Sequence, residues 1–176
     1  MEFNLEESIQ ILVKTPSVIS NLLKDLPEVW IKTNEGGDTW SPYDIVGHLI
    51  HGEQTDWIPR AKIILDTENN KTFTPFDRFA QFENSSGKTL NQLLSEFQEL
   101  RTENIETLKA LDITESDLMK EGIHPEFGLV TLKQLLATWA VHDLGHIHQI
   151  VRVLANNYKN EVGPWIQYIS ILQKSK

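Results

Sequence analysis

Cysteine is absent from the 176 residues of this chain. Its absence excludes disulfide bonds, thiolate metal ligands and a cysteine nucleophile. Basic residues are also scarce, because 16 lysines and arginines stand against 25 acidic residues and leave a formal charge of -9. A chain this acidic, with no basic block, is poorly suited to binding phosphate backbones. We therefore expect no nucleic-acid partner.

Long apolar runs are missing as well. No stretch approaches the ~20 residues that a membrane-spanning helix needs. Residues 1–7 lack the cationic and apolar regions of a secretory signal peptide. We expect a cytoplasmic protein with no membrane partner. The length predicts one domain, residues 1–176, that is large enough to bury a core without covalent cross-links.

Apolar residues recur at helical spacing in four long segments. These segments are residues 5–26, 41–57, 89–111 and 131–156. Ser41–Pro42 and Thr131 begin two of them with residues typical of a helix start. Thr15–Pro16 interrupts the first, because proline removes a backbone donor and clashes with the preceding turn. We expect a kink there, or two short helices with Thr15 capping the second.

The intervening segments are predicted to be loops and short helical turns. Residues 27–40, 67–88 and 122–128 are rich in polar residues, glycine or proline. Gly163–Pro164 starts a short last helix, whose buried side we expect to include Trp165. No segment shows the alternation of a β-strand. The sequence therefore predicts an all-α protein, a four-helix bundle with additional short helices and long connecting loops.

Three of the six histidines lie within one predicted helix, at His142, His146 and His148. His142 and His146 are four residues apart, so both project from one face and can reach a single metal ion. On a helical wheel they interrupt the apolar stripe that holds Trp139 and Ile150. Burying them without partners costs roughly 1–3 kcal/mol each. Either a shared metal ion or hydrogen bonds to other side chains must therefore satisfy them.

A site of two histidines is incomplete, since catalytic zinc sites commonly use three protein ligands and an open position. His148 points away from His146, about 200° round the helix, and cannot join the same ion. The second helix supplies His48, at the edge of its apolar arc, and we select His48 as the third ligand. Glu53 and Asp56 follow on the same helix and are candidates for a general base.

The roles of Asp143, Arg60 and Arg78 each have two possible explanations. Asp143 points into the apolar stripe, where it either orients a ligand imidazole or pairs with an arginine such as Arg60. Arg60 and Arg78 are candidates for binding an anionic group of a substrate. Salt bridges to Asp56 or Asp77 are the alternative, and we favour it.

Several of these residues follow one another in an order found in a known family of helical bundles. The matching residues are Trp40-Ser41-Pro42, His48-Leu49 with Glu53, and His142-x-x-x-His146-x-x-Gln149-Ile150. In this order they resemble the DinB-like metal-binding four-helix-bundle superfamily, over nearly the whole chain. The resemblance implies that His48, His142 and His146 hold a divalent metal ion, commonly nickel or zinc.

The resemblance also implies a metal-dependent enzyme that acts on a small molecule. Relatives include thiol-dependent S-transferases and a maleylpyruvate isomerase that uses a low-molecular-weight thiol, so S-transfer with an external thiol is the leading expectation. A metal-dependent hydrolase, with Glu53 or Asp56 as its base, is one alternative. A protein without catalytic activity, either a metal or small-molecule binder or a structural dimer, is the other. Trp165 and its apolar neighbours are the candidate contact surface of a homodimer.

Overall fold

Four long helices form the bundle that the sequence predicts. The computed structural model describes residues 1–67 and 70–173. The helices in those residues are α1 (Leu5–Leu23), α2 (Glu28–Lys32), α3 (Pro42–Thr55), α4 (Trp57–Leu65), α5 (Ala80–Ser85), α6 (Leu90–Ala110) and α7 (Leu132–Asn156). α1 packs against α6 and α7, and α3 packs against the same two helices. None of the described helices is long and apolar enough to cross a membrane.

Capping boxes set the starts of three bundle helices. Ser41, Thr89 and Thr131 each accept a hydrogen bond from the backbone N–H three residues later. The side chain at that later position bonds back to the backbone N–H of the cap, so two unpaired donors are satisfied together. The predicted starts of α3, α6 and α7 are therefore confirmed, and the all-α class is confirmed with them.

Pro16 does not divide the first helix, so the prediction of two short helices is wrong. Proline has no N–H, and the carbonyl of Leu12, four residues earlier, therefore lacks its helical donor. Arg101 of α6 replaces that donor, with Nη1 2.7 Å from the Leu12 oxygen. Thr15 does not act as a cap, because its hydroxyl donates to the carbonyl of Ile11 at 3.4 Å. α1 stays continuous because a neighbouring helix satisfies the carbonyl that proline leaves open.

Arg101 also joins the other bundle helices. Its guanidinium lies 2.7 Å from Glu53 Oε1 of α3 and 2.6 Å from Asp143 Oδ2 of α7. All three side chains are at most 1% exposed. The guanidinium also packs on the rings of Phe97 and Trp139, which belong to two separate apolar clusters of the core. One buried cation thus connects all four long helices and lies where the two clusters meet.

A β-hairpin precedes α7, so the prediction of a strand-free chain with a loop at residues 122–128 is wrong. β1 (Glu121–His124) pairs antiparallel with β2 (Gly128–Thr131) through a three-residue loop. Gly128 has φ +73°, a conformation that glycine adopts at little cost. The free edge of β1 bonds residues 71–73, since the N–H of Phe73 donates to the Ile123 carbonyl at 2.9 Å. Strands of four half-exposed residues are too short to show alternation.

Other connections also contain more structure than predicted. Residues 27–40 include α2, and residues 67–88 include α5. A 3-10 helix, Asp117–Met119, lies between α6 and β1, and the segment after α7 contains two more, Gly163–Tyr168 and Ser170–Leu172. Trp165 is 70% exposed, so its predicted place on a buried side is wrong. Its exposure leaves the homodimer surface a prediction.

Replacing Arg101 by methionine is expected to lower the free energy of unfolding by about 3–5 kcal/mol, because two buried carboxylates lose their counter-charge. Urea denaturation followed by circular dichroism measures this change. Arg152→Met is the matched control, since Arg152 pairs with Glu35 near the surface and is 40% exposed. The free energy of unfolding of Arg152→Met should fall by less than about 1 kcal/mol. Equal losses in the two variants would contradict the role assigned to Arg101.

Candidate metal centre

Three imidazoles from two helices converge on one point. His48 is on α3, and His142 and His146 are one turn apart on α7. His142 Nε2 lies 3.2 Å from His48 Nε2 and 3.0 Å from His146 Nε2. The three potential ligand atoms all lie within 4.8 Å of one another. The structure therefore brings together the three residues that the sequence selected.

Hydrogen bonds on the far side of two rings determine which nitrogen carries the proton. His48 Nδ1 is 3.0 Å from Gln81 Oε1, and His146 Nδ1 is 2.9 Å from Gln149 Oε1. Because an amide oxygen only accepts, each Nδ1 donates and each Nε2 presents a lone pair. Both lone pairs face His142 Nε2, which can donate at most one proton. The common point of the three rings is therefore rich in lone pairs.

This donor set fits a divalent metal ion better than a hydrogen-bonded cluster. Ligand nitrogens 2.0–2.1 Å from a tetrahedral zinc ion are about 3.3–3.4 Å apart, close to the two distances measured from His142. Without an ion, one of the two facing lone pairs has no donor. His48, His142 and His146 are thus the residues that would hold the ion.

Burial keeps the three imidazoles neutral. Burial, reinforced by His146, lowers the pKa of His48 to about 3. Burial and the neighbouring imidazoles do the same for His142, whose pKa is also about 3, and burial lowers the pKa of His146. Neutral imidazoles keep the lone pairs that ligation needs at pH 7. Behind them, the two carboxylates that pair with Arg101 leave one net negative charge, which favours a cation at the triad.

The triad lies in the wall of a cavity of about 620 Å³. The cavity extends from the triad to α4, to residues 73–78 and to the hairpin. Aromatic side chains provide much of its surface, namely Trp40, Trp57, Phe73, Phe76 and Phe127. A mostly apolar cavity of this size, with a few polar groups, is typical of a small-molecule site. An ion at the triad would therefore face a space that a substrate can enter.

Comparison with known proteins identifies the family of this chain. A family model described as the DinB superfamily matches residues 11–150. The chain belongs to the DinB superfamily.

A solved structure similar to this DinB-superfamily chain is described as "YfiT from Bacillus subtilis is a probable metal-dependent hydrolase with an unusual four-helix bundle topology". The two share 20% sequence identity with a TM-score of 0.73, over 87% of this chain and 86% of that chain. At this identity the likeness shows a shared fold. No curated protein matches the chain significantly in sequence.

Asp56 and Arg60 form the salt bridge that the sequence favoured, and they form it in the cavity wall. Arg60 Nη2 lies 2.8 Å from Asp56 Oδ1. Burial raises the pKa of Asp56 to about 6, although Arg60 acts in the opposite direction. Oδ1 is buried, whereas Oδ2 is accessible and makes no hydrogen bond within residues 1–67 and 70–173. One oxygen of this cavity-lining carboxylate is therefore buried beside Arg60, and the other is accessible.

Glu53 does not line the cavity. Its Oε1 accepts from Arg101 Nη2 at 2.7 Å and from Trp139 Nε1 at 3.2 Å, and its Oε2 accepts from Asn104 Nδ2 at 3.0 Å. Both oxygens are thus engaged between helices. This arrangement connects the bundle helices and leaves Asp56 as the better-placed candidate base.

Two predicted ion pairs have other partners. Asp143 pairs with an arginine, as one interpretation had it, but with Arg101 rather than Arg60. Arg78 is 73% exposed and lies 4.0 Å from Glu126 rather than beside Asp77. Arg78 is therefore at the rim of the cavity, while Arg60 is inside it.

Sequence reasoning assigned no role to the two glutamines that orient the ligand rings, although Gln149 stands in the motif that carries the family resemblance. Gln149 follows His146 by three residues on α7, so helical spacing alone could have paired them. Gln81 is on α5, within a segment predicted to be a loop, and no spacing relates it to His48. His148, by contrast, is exposed and lies apart from the triad.

Alanine at His48, His142 or His146 is expected to abolish metal binding, because two imidazoles hold an ion far less tightly than three. Elemental analysis of protein purified without added metal should give about one ion per chain for the unaltered protein and none for these variants. His148→Ala is the matched control and should keep its metal. Equal metal in all four variants would refute the triad as a binding site.

Gln81→Leu is expected to weaken metal binding by about 10- to 100-fold, because His48 loses the acceptor that fixes its ring. Competition against a chelator measures the dissociation constant. Gln54→Leu, at an exposed position of α3, is the control and should bind as the unaltered protein does. An unchanged dissociation constant in Gln81→Leu would show that His48 needs no orienting partner.

Proposed function

We propose that the chain is a metal-dependent hydrolase that acts on a small molecule bound in the cavity. The observation that carries this proposal is the accessible Oδ2 of Asp56 in the same cavity wall as the three histidines. Nickel and zinc are the ions we propose, since neutral imidazoles suit both. The description of the YfiT structure as a probable metal-dependent hydrolase supports the same class of reaction.

Residues of the cavity wall each have a role in the proposed hydrolysis. The bound ion would supply Lewis-acid character, which polarises a substrate carbonyl. Asp56 accepts the proton of the attacking water at Oδ2 and later returns it to the leaving group. Arg60 holds Oδ1 of Asp56 and so fixes the direction in which Oδ2 points. Trp40 and Phe76 pack on the His48 ring, at centroid distances of 4.8 and 5.4 Å, and shield the triad from bulk water.

Asp56→Asn is expected to lower kcat/KM for a hydrolysed aryl ester by about a hundredfold to ten-thousandfold, because the general base is lost. The carboxylate works as a base only when ionised. Activity of the unaltered protein should therefore rise as the pH passes about 6 and then level off. Asp77→Asn, at an exposed position, is the control and should keep both the rate and the pH profile. An Asp56→Asn variant with the original profile would refute the role of Asp56.

The assay also decides between water and a thiol as the attacking group. Each ester is tested with the metal-loaded protein in the absence and in the presence of a low-molecular-weight thiol. Turnover without thiol supports the hydrolase. Turnover that requires the thiol, and that yields a thiol adduct, assigns the S-transfer that the sequence resemblance favours. A metal-loaded protein with neither activity is the non-catalytic binder.

A further inference from the structure

We propose that His124 and Arg60 form a carboxylate subsite in the cavity, and that the substrate is an organic acid with an apolar body. The inference rests on the proposed function, because it names the substrate class of that same cavity. His124 belongs to the hairpin, which sequence analysis took for a loop.

The hairpin turn fixes the proton on His124. The backbone N–H groups of Glu126 and Phe127 both donate to His124 Nδ1, at 3.1 and 3.3 Å. A nitrogen that accepts two hydrogen bonds carries no proton, so the ring proton is on Nε2. Burial, together with the charge of Arg60, lowers the pKa of His124 and keeps the ring neutral. His124 therefore offers one donor, Nε2–H, whose position is set by the turn.

This donor has no acceptor in the described part of the chain, and it belongs to a side chain that lines the cavity. His124 lines the cavity, and Nε2 makes no hydrogen bond to any residue that the structure describes. The Nε2 atom is also accessible rather than buried. The ring stacks on Phe127, at a centroid distance of 4.4 Å, and meets Phe73 edge-on at 6.1 Å. Aromatic packing on both sides thus holds the ring with its donor directed to open space.

Arg60 supplies a second unpaired donor beside the first. Its side chain is 8% exposed, and Nη2 is the nitrogen that contacts Asp56. Nη1 is accessible and has no acceptor within the described ranges. The Arg60 guanidinium lies 5.2 Å from the centre of the Phe73 ring, the same ring that His124 contacts. The free N–H groups of His124 and Arg60 thus lie at the same Phe73 ring. Together they form a site for a ligand group that accepts at least two hydrogen bonds.

Charge favours a carboxylate in this position. The three imidazoles of the triad are neutral. Among the other residues that line the cavity, the positive charges of Arg60 and Arg78 balance the negative charges of Asp56 and Glu126. A divalent ion at the triad would therefore leave the cavity positive, which favours an anion over a neutral acceptor. The walls beyond the donors are aromatic, so the body of the acid must be apolar. A planar carboxylate also matches the fork of donors that a guanidinium presents.

The test is isothermal titration of the full-length, metal-loaded protein with phenylpropionate and with its amide, phenylpropionamide. The acid should bind about tenfold more tightly than the amide, and Arg60→Gln should remove that preference. His124→Asn should weaken the binding of phenylpropionate by about tenfold, because asparagine has no donor at the position of Nε2. Its amide oxygen can still accept from the turn, so the hairpin should be kept and the thermal midpoint should fall only slightly, through the lost ring contacts with Phe73 and Phe127. His148→Asn is the matched control and should bind as the unaltered protein does.

Two results would overturn the subsite. One is unaltered protein that does not bind phenylpropionate. The other is His124→Asn protein that binds phenylpropionate as tightly as the unaltered protein does. If that binding is also lost when the metal is stripped, the carboxylate binds the ion instead.

The titration is independent of turnover, so it separates this inference from the hydrolase. Phenylpropionate binding that depends on His124, in a protein that hydrolyses no ester, keeps the subsite and refutes the hydrolase. Ester hydrolysis by a protein whose phenylpropionate binding does not depend on His124 supports the hydrolase and refutes the subsite.

Discussion

The buried guanidinium of Arg101 is the constraint on which the rest of the structure depends. A charge removed from water needs partners, and the chain supplies them from three other helices. Glu53 and Asp143 neutralise the guanidinium, and its Nη1 also donates to the Leu12 carbonyl that Pro16 leaves open. Because these bonds fix α3 against α7, they also fix His48 against the histidine pair. The ion network and the candidate metal centre are thus consequences of one packing arrangement.

Aromatic stacking carries that arrangement into the site. Trp139 donates to Glu53 and stacks on Trp57, with ring centroids 5.6 Å apart and nearly parallel planes. Trp57 in turn meets the His142 ring edge-on at 5.0 Å. The triad therefore has a rigid, negatively charged network behind it and an apolar cavity in front. Such a setting keeps the imidazoles neutral and favours a cation at their common point.

The errors of sequence reasoning have a common physical origin. Helical spacing treats each segment as isolated, so it allowed Pro16 to divide the first helix in two, whereas Arg101, from a helix far along the chain, supplies the missing donor. It also gave no sign of the hairpin, because β1 is stabilised by pairing with residues 71–73 and by the Phe73 ring. Gly122 packs so closely on Phe73 that any side chain would clash. Each of these features depends on a neighbour that local patterns cannot identify.

The sequence by itself determined the four long helices and half of the site. Caps at Ser41, Thr89 and Thr131 begin helices whatever surrounds them, and two histidines four residues apart must share a helical face. Their place in an apolar stripe already required a partner. Only the tertiary structure decided that His48 meets them, that Gln81 orients His48, and that Asp56 rather than Glu53 faces the cavity. These outcomes depend on how whole helices and the hairpin pack, and packing is a property of the assembled chain rather than of any segment.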